Sequence, residues 1–173
     1  GSSMKTKTFA LYTGLAATVF AAGFTTLAIS ANEPVESQAA LASLQQTEKA
    51  ITIYKSPNCG CCQSWAEHLA ANGFNTQIVE TDNLNAVKQE HGVTRDMASC
   101  HTALIDGLVI EGHVPAGDIL AYLENPQPDT TGLSVPAMPH GTPGMETGRK
   151  DDYQVIAFNA NGQQRVFREH TDY

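Results

Sequence analysis

Apolar residues fill the stretch from Phe9 to Ile29, interrupted only by small, hydroxyl-bearing or aromatic side chains. Beyond Lys49 they come in short bursts divided by polar and glycine-containing breaks. The period and composition of each burst predict its element. Ala50-Ile51-Thr52-Ile53-Tyr54 is β-branched and aromatic and predicts a strand. Gln63 to Asn72 places Trp65, Ala66, Leu69 and Ala70 on one helical face, with Gly73 at the C′ position where a helix stops. Thr76 to Val79 predicts a second strand. Thr81-Asp82-Asn83 is a capping cluster for a helix from Leu84 to about His91, ended by Gly92.

Thr102 to Ile105 and Leu108 to Glu111 flank Asp106-Gly107, a dipeptide suited to the two-residue type I′ hairpin turn. Pro115 to Glu124 predicts a helix with Ile119, Tyr122 and Leu123 facing the core. The succession is β-α-β-α-β-β-α. Together with cysteines in its strand-to-helix turn, it predicts an α/β, thioredoxin-like fold. A Pro/Gly-rich loop, Pro126 to Gly148, is too long for a simple connector. It leads to a C-terminal β-hairpin of Tyr153 to Phe158 and Gln164 to Arg168, turning at Asn159 to Gly162. No internal repeat is present.

The long apolar run changes the picture at the other end. Lys5 and Lys7 precede it and Ala28-Ile29-Ser30-Ala31 closes it, the layout of a secretory signal peptide; retention as a membrane anchor is the alternative. The expected organisation is a cloning remnant at 1–3, a signal peptide at 4–31 and a tether at 32–48. A metal-binding domain follows at 49–148 and a hairpin extension at 149–173. Losing Lys5 and Lys7 leaves 8 Lys+Arg against 18 Asp+Glu, so the formal charge moves from −8 to −10. With no basic stripe, nucleic acid and anionic membrane are poor partners, and after signal cleavage no membrane association is expected. Export implies an oxidising compartment, where cysteines usually pair.

Three of the four cysteines lie in Cys59-Gly60-Cys61-Cys62, and the fourth, Cys100, immediately precedes the third strand. A helix N-terminus favours thiolate, the form that binds metal, and soft thiolates select Cu(I), Zn(II) or iron–sulfur clusters. Adjacent helical residues diverge by about 100°. Cys61 and Cys62 are therefore expected not to serve one tetrahedral zinc, whereas bridged Cu(I) tolerates two or three ligands per ion. Copper is favoured, with zinc or an iron–sulfur cluster behind it. Two other readings stay open: a Cys59–Cys62 disulfide of purely structural value, and thiol–disulfide exchange with Cys59 as nucleophile and Cys62 as resolving thiol.

Outside the cysteines, Met138 and Met145 flank Pro139 to Gly144 and are candidates for holding or passing Cu(I), against the alternative of gap filling. His113, at a strand-to-helix exit, is an auxiliary candidate. His101 is expected to point away from Cys100 and into the core, because strand side chains alternate. Met97 carries less weight as a ligand; His68, His91 and His170 read as solvated, and Trp65 as a core shield for the cluster.

Five blocks carry a family resemblance: Tyr54 to Cys62, Ser99 to Ala103, Ile110 to Ala116, Gly132 to Pro139, and Gly144-Met145-Glu146. From about Ile51 to Glu146 the chain resembles the CopG-type periplasmic copper-resistance proteins, whose domain was long labelled as of unknown function. The resemblance implies a thioredoxin-like fold, a periplasmic location, and copper held by Cys59, Cys61, Cys62 and Cys100. It also implies a part in copper redox chemistry or detoxification, with other periplasmic copper-handling proteins as candidate partners. The function expected is Cu(I) binding in copper tolerance, with a copper or thiol–disulfide oxidoreductase as the alternative. The hairpin after Lys150 lies beyond these blocks.

Overall fold

β1 (Lys49–Lys55) alternates as its composition demands, with Ile51 and Ile53 buried toward a helical layer. The computed structural model describes residues 49–173; the signal segment and the tether expected at 4–48 lie outside the described residues. After β1 come α1 (Gly60–Ala71), β2 (Phe74–Glu80), α2 (Leu84–Glu90), β3 (His101–Ile105), β4 (Leu108–Glu111) and α3 (Ala116–Glu124). β5 (Gly132–Ser134), β6 (Tyr153–Phe158) and β7 (Gln164–His170) complete the order. The first seven elements run β-α-β-α-β-β-α, as the periodicity predicts. Asp106 and Gly107 both have positive φ, 50° and 78°, the signature of a type I′ turn.

The described residues form a mixed α/β structure with one seven-stranded sheet in the order β2-β1-β3-β4-β5-β6-β7. β1 is parallel to β2 and antiparallel to β3, and β4 is parallel to β5. β5 was not expected, because it lies inside the Pro/Gly-rich loop. It joins β4 to β6, so the C-terminal hairpin continues the sheet. α1 and α3 cover one face over a large core that includes Trp65, Leu69, Ile110, Ile119, Leu133 and Val155. The other face carries a smaller cluster of Val93, Met97, Val109 and Phe158. Met97 is thus a packing residue. Among the described residues no helix is long and apolar enough to cross a membrane.

Candidate metal centre

The turn between β1 and α1 is shaped from its strand end. Lys55 is almost fully buried and folds back to donate to the Ser56 carbonyl at 3.0 Å while pairing with Glu80 at 3.4 Å. Cys59 occupies the N-cap in extended conformation, and its N–H donates to the Ser56 carbonyl at 3.1 Å. The helix starts at Gly60, three residues before the expected Gln63, so Cys61 and Cys62 lie in its first turn. No side chain caps that end, which leaves its N–H groups and the positive end of the dipole facing the sulfurs.

Register brings in the fourth sulfur. Lys55, the last residue of β1, pairs with His101, the first of β3, so Cys100 falls level with the turn. Cys61 Sγ lies 3.5 Å from Cys59 Sγ and 3.9 Å from Cys100 Sγ, while Cys62 Sγ reaches the Cys100 carbonyl at 3.6 Å. All four sulfurs fall within 4.8 Å of one another. That corrects the expected divergence of Cys61 and Cys62. In the first turn side chains tilt toward the helix N-terminus, so neighbouring cysteines reach the same space in front of it. Divergence is therefore no argument against a single ion. Cys59 and Cys62 form a disulfide, leaving Cys61 and Cys100 as thiols.

Two imidazoles flank Cys100. His113 Nε2 lies 3.0 Å from its sulfur, and His113 Nδ1 lies 2.7 Å from the Pro143 carbonyl. A carbonyl only accepts, so Nδ1 carries the proton and the Nε2 lone pair faces the sulfur. His101 Nδ1 is 3.3 Å from the same sulfur, and its ring tilts against Trp65 at 4.3 Å between centroids. The expected core packing of His101 is present, but its separation from Cys100 is not. Alternation governs residues within a strand, and Cys100 sits in the bend before it. His101 Nε2 is buried without a hydrogen-bond partner.

Burial shapes the electrostatics. It lowers the pKa of both imidazoles below the usual 6.5, helped at His101 by His113 and Lys88. It pushes the Cys100 thiol up to about 12, with the neighbouring Cys61 adding to the shift. Cys100, His101 and His113 form a second donor group, also within 4.8 Å.

The Pro139-to-Thr147 segment lies against the cluster. Gly144, at φ +86°, packs so closely that a Cβ would stand 2.8 Å from the Cys61 carbonyl and 3.2 Å from His113 Nδ1. Met145 follows it, half-buried, whereas Met138 is 44% exposed.

Two histidines expected to be solvated have partners. His68 Nε2 accepts from the Ala116 N–H at 3.1 Å, and His170 Nε2 meets the buried Asp118 at 2.6 Å. Sequence reasoning also missed a buried network of Lys88, Glu111, Thr102 and Ser99. Its one local signal is Lys88, which shares a helical face with Leu84, Val87 and His91.

Residues 97–145 match the family described as "Protein of unknown function, DUF411". No curated protein matches the chain. A solved structure titled "Copper resistance protein copG- Form 2" is 46% identical over 72% of this chain and 99% of its own, with a TM-score of 0.68. A second, "Copper resistance protein copG- Form 1", is 47% identical over 71% of this chain and 98% of its own, with a TM-score of 0.67.

Proposed function

The chain belongs to the CopG copper-resistance family, and on that premise we propose that it is a periplasmic Cu(I)-binding protein of copper tolerance, exported by its N-terminal segment and built on a thioredoxin-like domain. Copper is its cargo. The observation that carries this reading is the convergence of four sulfurs, from Cys59, Cys61, Cys62 and Cys100, within 4.8 Å at a helix N-terminus. Soft donors select a soft cation, and close sulfurs can bridge several Cu(I) ions. His113 adds an imidazole beside Cys100. Met145, next to the Gly144 contact, and the more exposed Met138 are the proposed points of entry.

Loading all four sulfurs requires reduction of the Cys59–Cys62 disulfide by an external dithiol, which gives up two electrons and two protons, closes to its own disulfide and leaves Cys59 and Cys62 as thiolates. Anaerobic titration of the reduced protein with Cu(I) against a chromogenic chelator is expected to show more than one tightly held copper per chain, fewer after each Cys→Ser change. Full retention by Cys100→Ser would refute the four-sulfur site.

The disulfide itself favours a second reading, thiol–disulfide exchange through Cys59 and Cys62. Turnover in an insulin-reduction assay supports it, and no turnover leaves binding alone.

A further inference from the structure

Glu111 is fully buried and Lys88 is 8% exposed, yet neither is needed as a sulfur or nitrogen donor to copper. A buried ion pair is costly to desolvate and persists only where its remaining valences are met. Here they are met. Glu111 Oε1 accepts from the Lys88 ammonium and from the Ser99 N–H at 2.6 Å, and Oε2 accepts the Thr102 hydroxyl at 2.6 Å. Lys88 also donates to Thr102 Oγ1 at 3.1 Å. Thr102 and Glu111 are cross-strand neighbours, so these bonds tie α2 to β3 and β4, a task that apolar side chains could perform.

The bond to Ser99 is different. It fixes the peptide immediately before Cys100, in a segment that is outside any strand and lacks a ladder of its own. That segment is also pinned by the Ser99 hydroxyl on the Ala137 carbonyl and by the Gly112 N–H on the His101 carbonyl at 3.1 Å. Gly112 leaves no room beside Ser99 for a side chain. Among these anchors the Glu111 side chain alone accepts the Ser99 N–H, the donor of the residue that leads into Cys100.

We propose that Glu111, balanced by Lys88, is a positioning residue for Cys100. It holds the Ser99–His101 segment so that the Cys100 sulfur stays 3.9 Å from Cys61 Sγ and 3.0 Å from His113 Nε2. The proposal rests on the copper-binding reading for its purpose but not for its geometry, so two readouts separate them.

Two double variants isolate the Ser99 bond. Lys88→Met with Glu111→Gln removes both charges and keeps an acceptor for the Ser99 N–H. Lys88→Met with Glu111→Leu removes the acceptor as well. Each is measured for Cu(I) affinity in the reduced protein and for the alkylation rate of Cys100 in the metal-free oxidised protein. The Gln version is expected to stay within about threefold of wild type on both. The Leu version is expected to bind Cu(I) about 10–100-fold more weakly, the usual loss when a group that orients a metal ligand is removed, and to expose Cys100 to alkylation about tenfold faster. In a Cys100→Ser background the Gln and Leu versions should bind copper equally.

Equal behaviour of the two versions with Cys100 present overturns the proposal. So does a Gln version that loses copper as fully as Cys100→Ser, a comparison that stands even if the Leu version does not fold. If wild type holds no copper while alkylation still separates the versions, the copper reading falls and the positioning role stands.

Discussion

At Cys100 two demands oppose each other. Burial and the nearby Cys61 hold the proton on its sulfur, raising the pKa to about 12, whereas a metal ligand must be thiolate. On the proposed copper reading, metal capture at this sulfur therefore displaces a proton, which goes to solvent. Cu(I) affinity through Cys100 is expected to rise by up to about tenfold per pH unit between pH 7 and 9, since one proton is released per copper captured at this sulfur. Competition titrations at stepped pH with wild type and Cys100→Ser read the difference; identical slopes would show that Cys100 releases no proton. Neutral His113 suits the same task. Its Nδ1 proton is committed to the Pro143 carbonyl, so Nε2 keeps its lone pair toward the sulfur.

Among the elements, the Pro139–Thr147 loop depends on Gly144 more than on any conformational freedom of its own. Gly144 and Gly148 share nearly the same φ, +86° and +87°, but only Gly144 abuts backbone, at the Cys61 carbonyl and the Trp65 nitrogen. Gly148→Ala should cost about 1–2 kcal/mol of stability, the strain of a left-handed non-glycine residue. Gly144→Ala should cost clearly more, because helix backbone cannot swing aside. Urea unfolding of both variants makes the comparison, and equal costs would mean that the loop does not seat on α1.

The strongly periodic elements were legible in the sequence, down to the Asp106-Gly107 turn. β5 was not, since Gly132-Leu133-Ser134 is a strand only by pairing on both sides with β4 and β6. The cysteines were legible as lying at the turn into α1 and its first helical turn, but with no capping signal at Cys59 or Gly60 the exact first residue was not. The cysteines announced the site by their density. The pairing of Lys88 with Glu111 and of His170 with Asp118 joins residues far apart in sequence, and no local pattern encodes it.

Across the whole molecule, the last strands are bound in by charge as well as by pairing. Asp118 on α3 accepts from Arg168 Nε at 2.9 Å and pairs with His170, whose ring stacks on Tyr153 at 4.6 Å. Stability of the metal-free protein is expected to form a plateau with two shoulders. His101 and His113 have lowered pKa values, so above pH 6.5 they are neutral whether folded or not. Below it the unfolded chain takes up protons first, and stability falls with a slope of up to about 1.4 kcal/mol per pH unit for each group. Cys100 acts with the opposite sign. Its contribution is complete below pH 9, the ordinary thiol value, and is lost as pH climbs toward 12. Urea midpoints from pH 4 to 11 test both shoulders, and Cys100→Ala should weaken the alkaline one.

The spacing of the sulfurs also orders events in time. Cys59 and Cys62 are three residues apart, while Cys61 and Cys100 are separated by 39. A chain emerging from its N-terminal end presents Cys59, Cys61 and Cys62 well before Cys100 exists. Short loops close within about 100 ns or less, so an oxidant meeting the nascent chain finds only local pairs to join. Cys100 enters the company of the other sulfurs only when β3 docks on β1, which makes the complete cluster a certificate that the central sheet has been assembled.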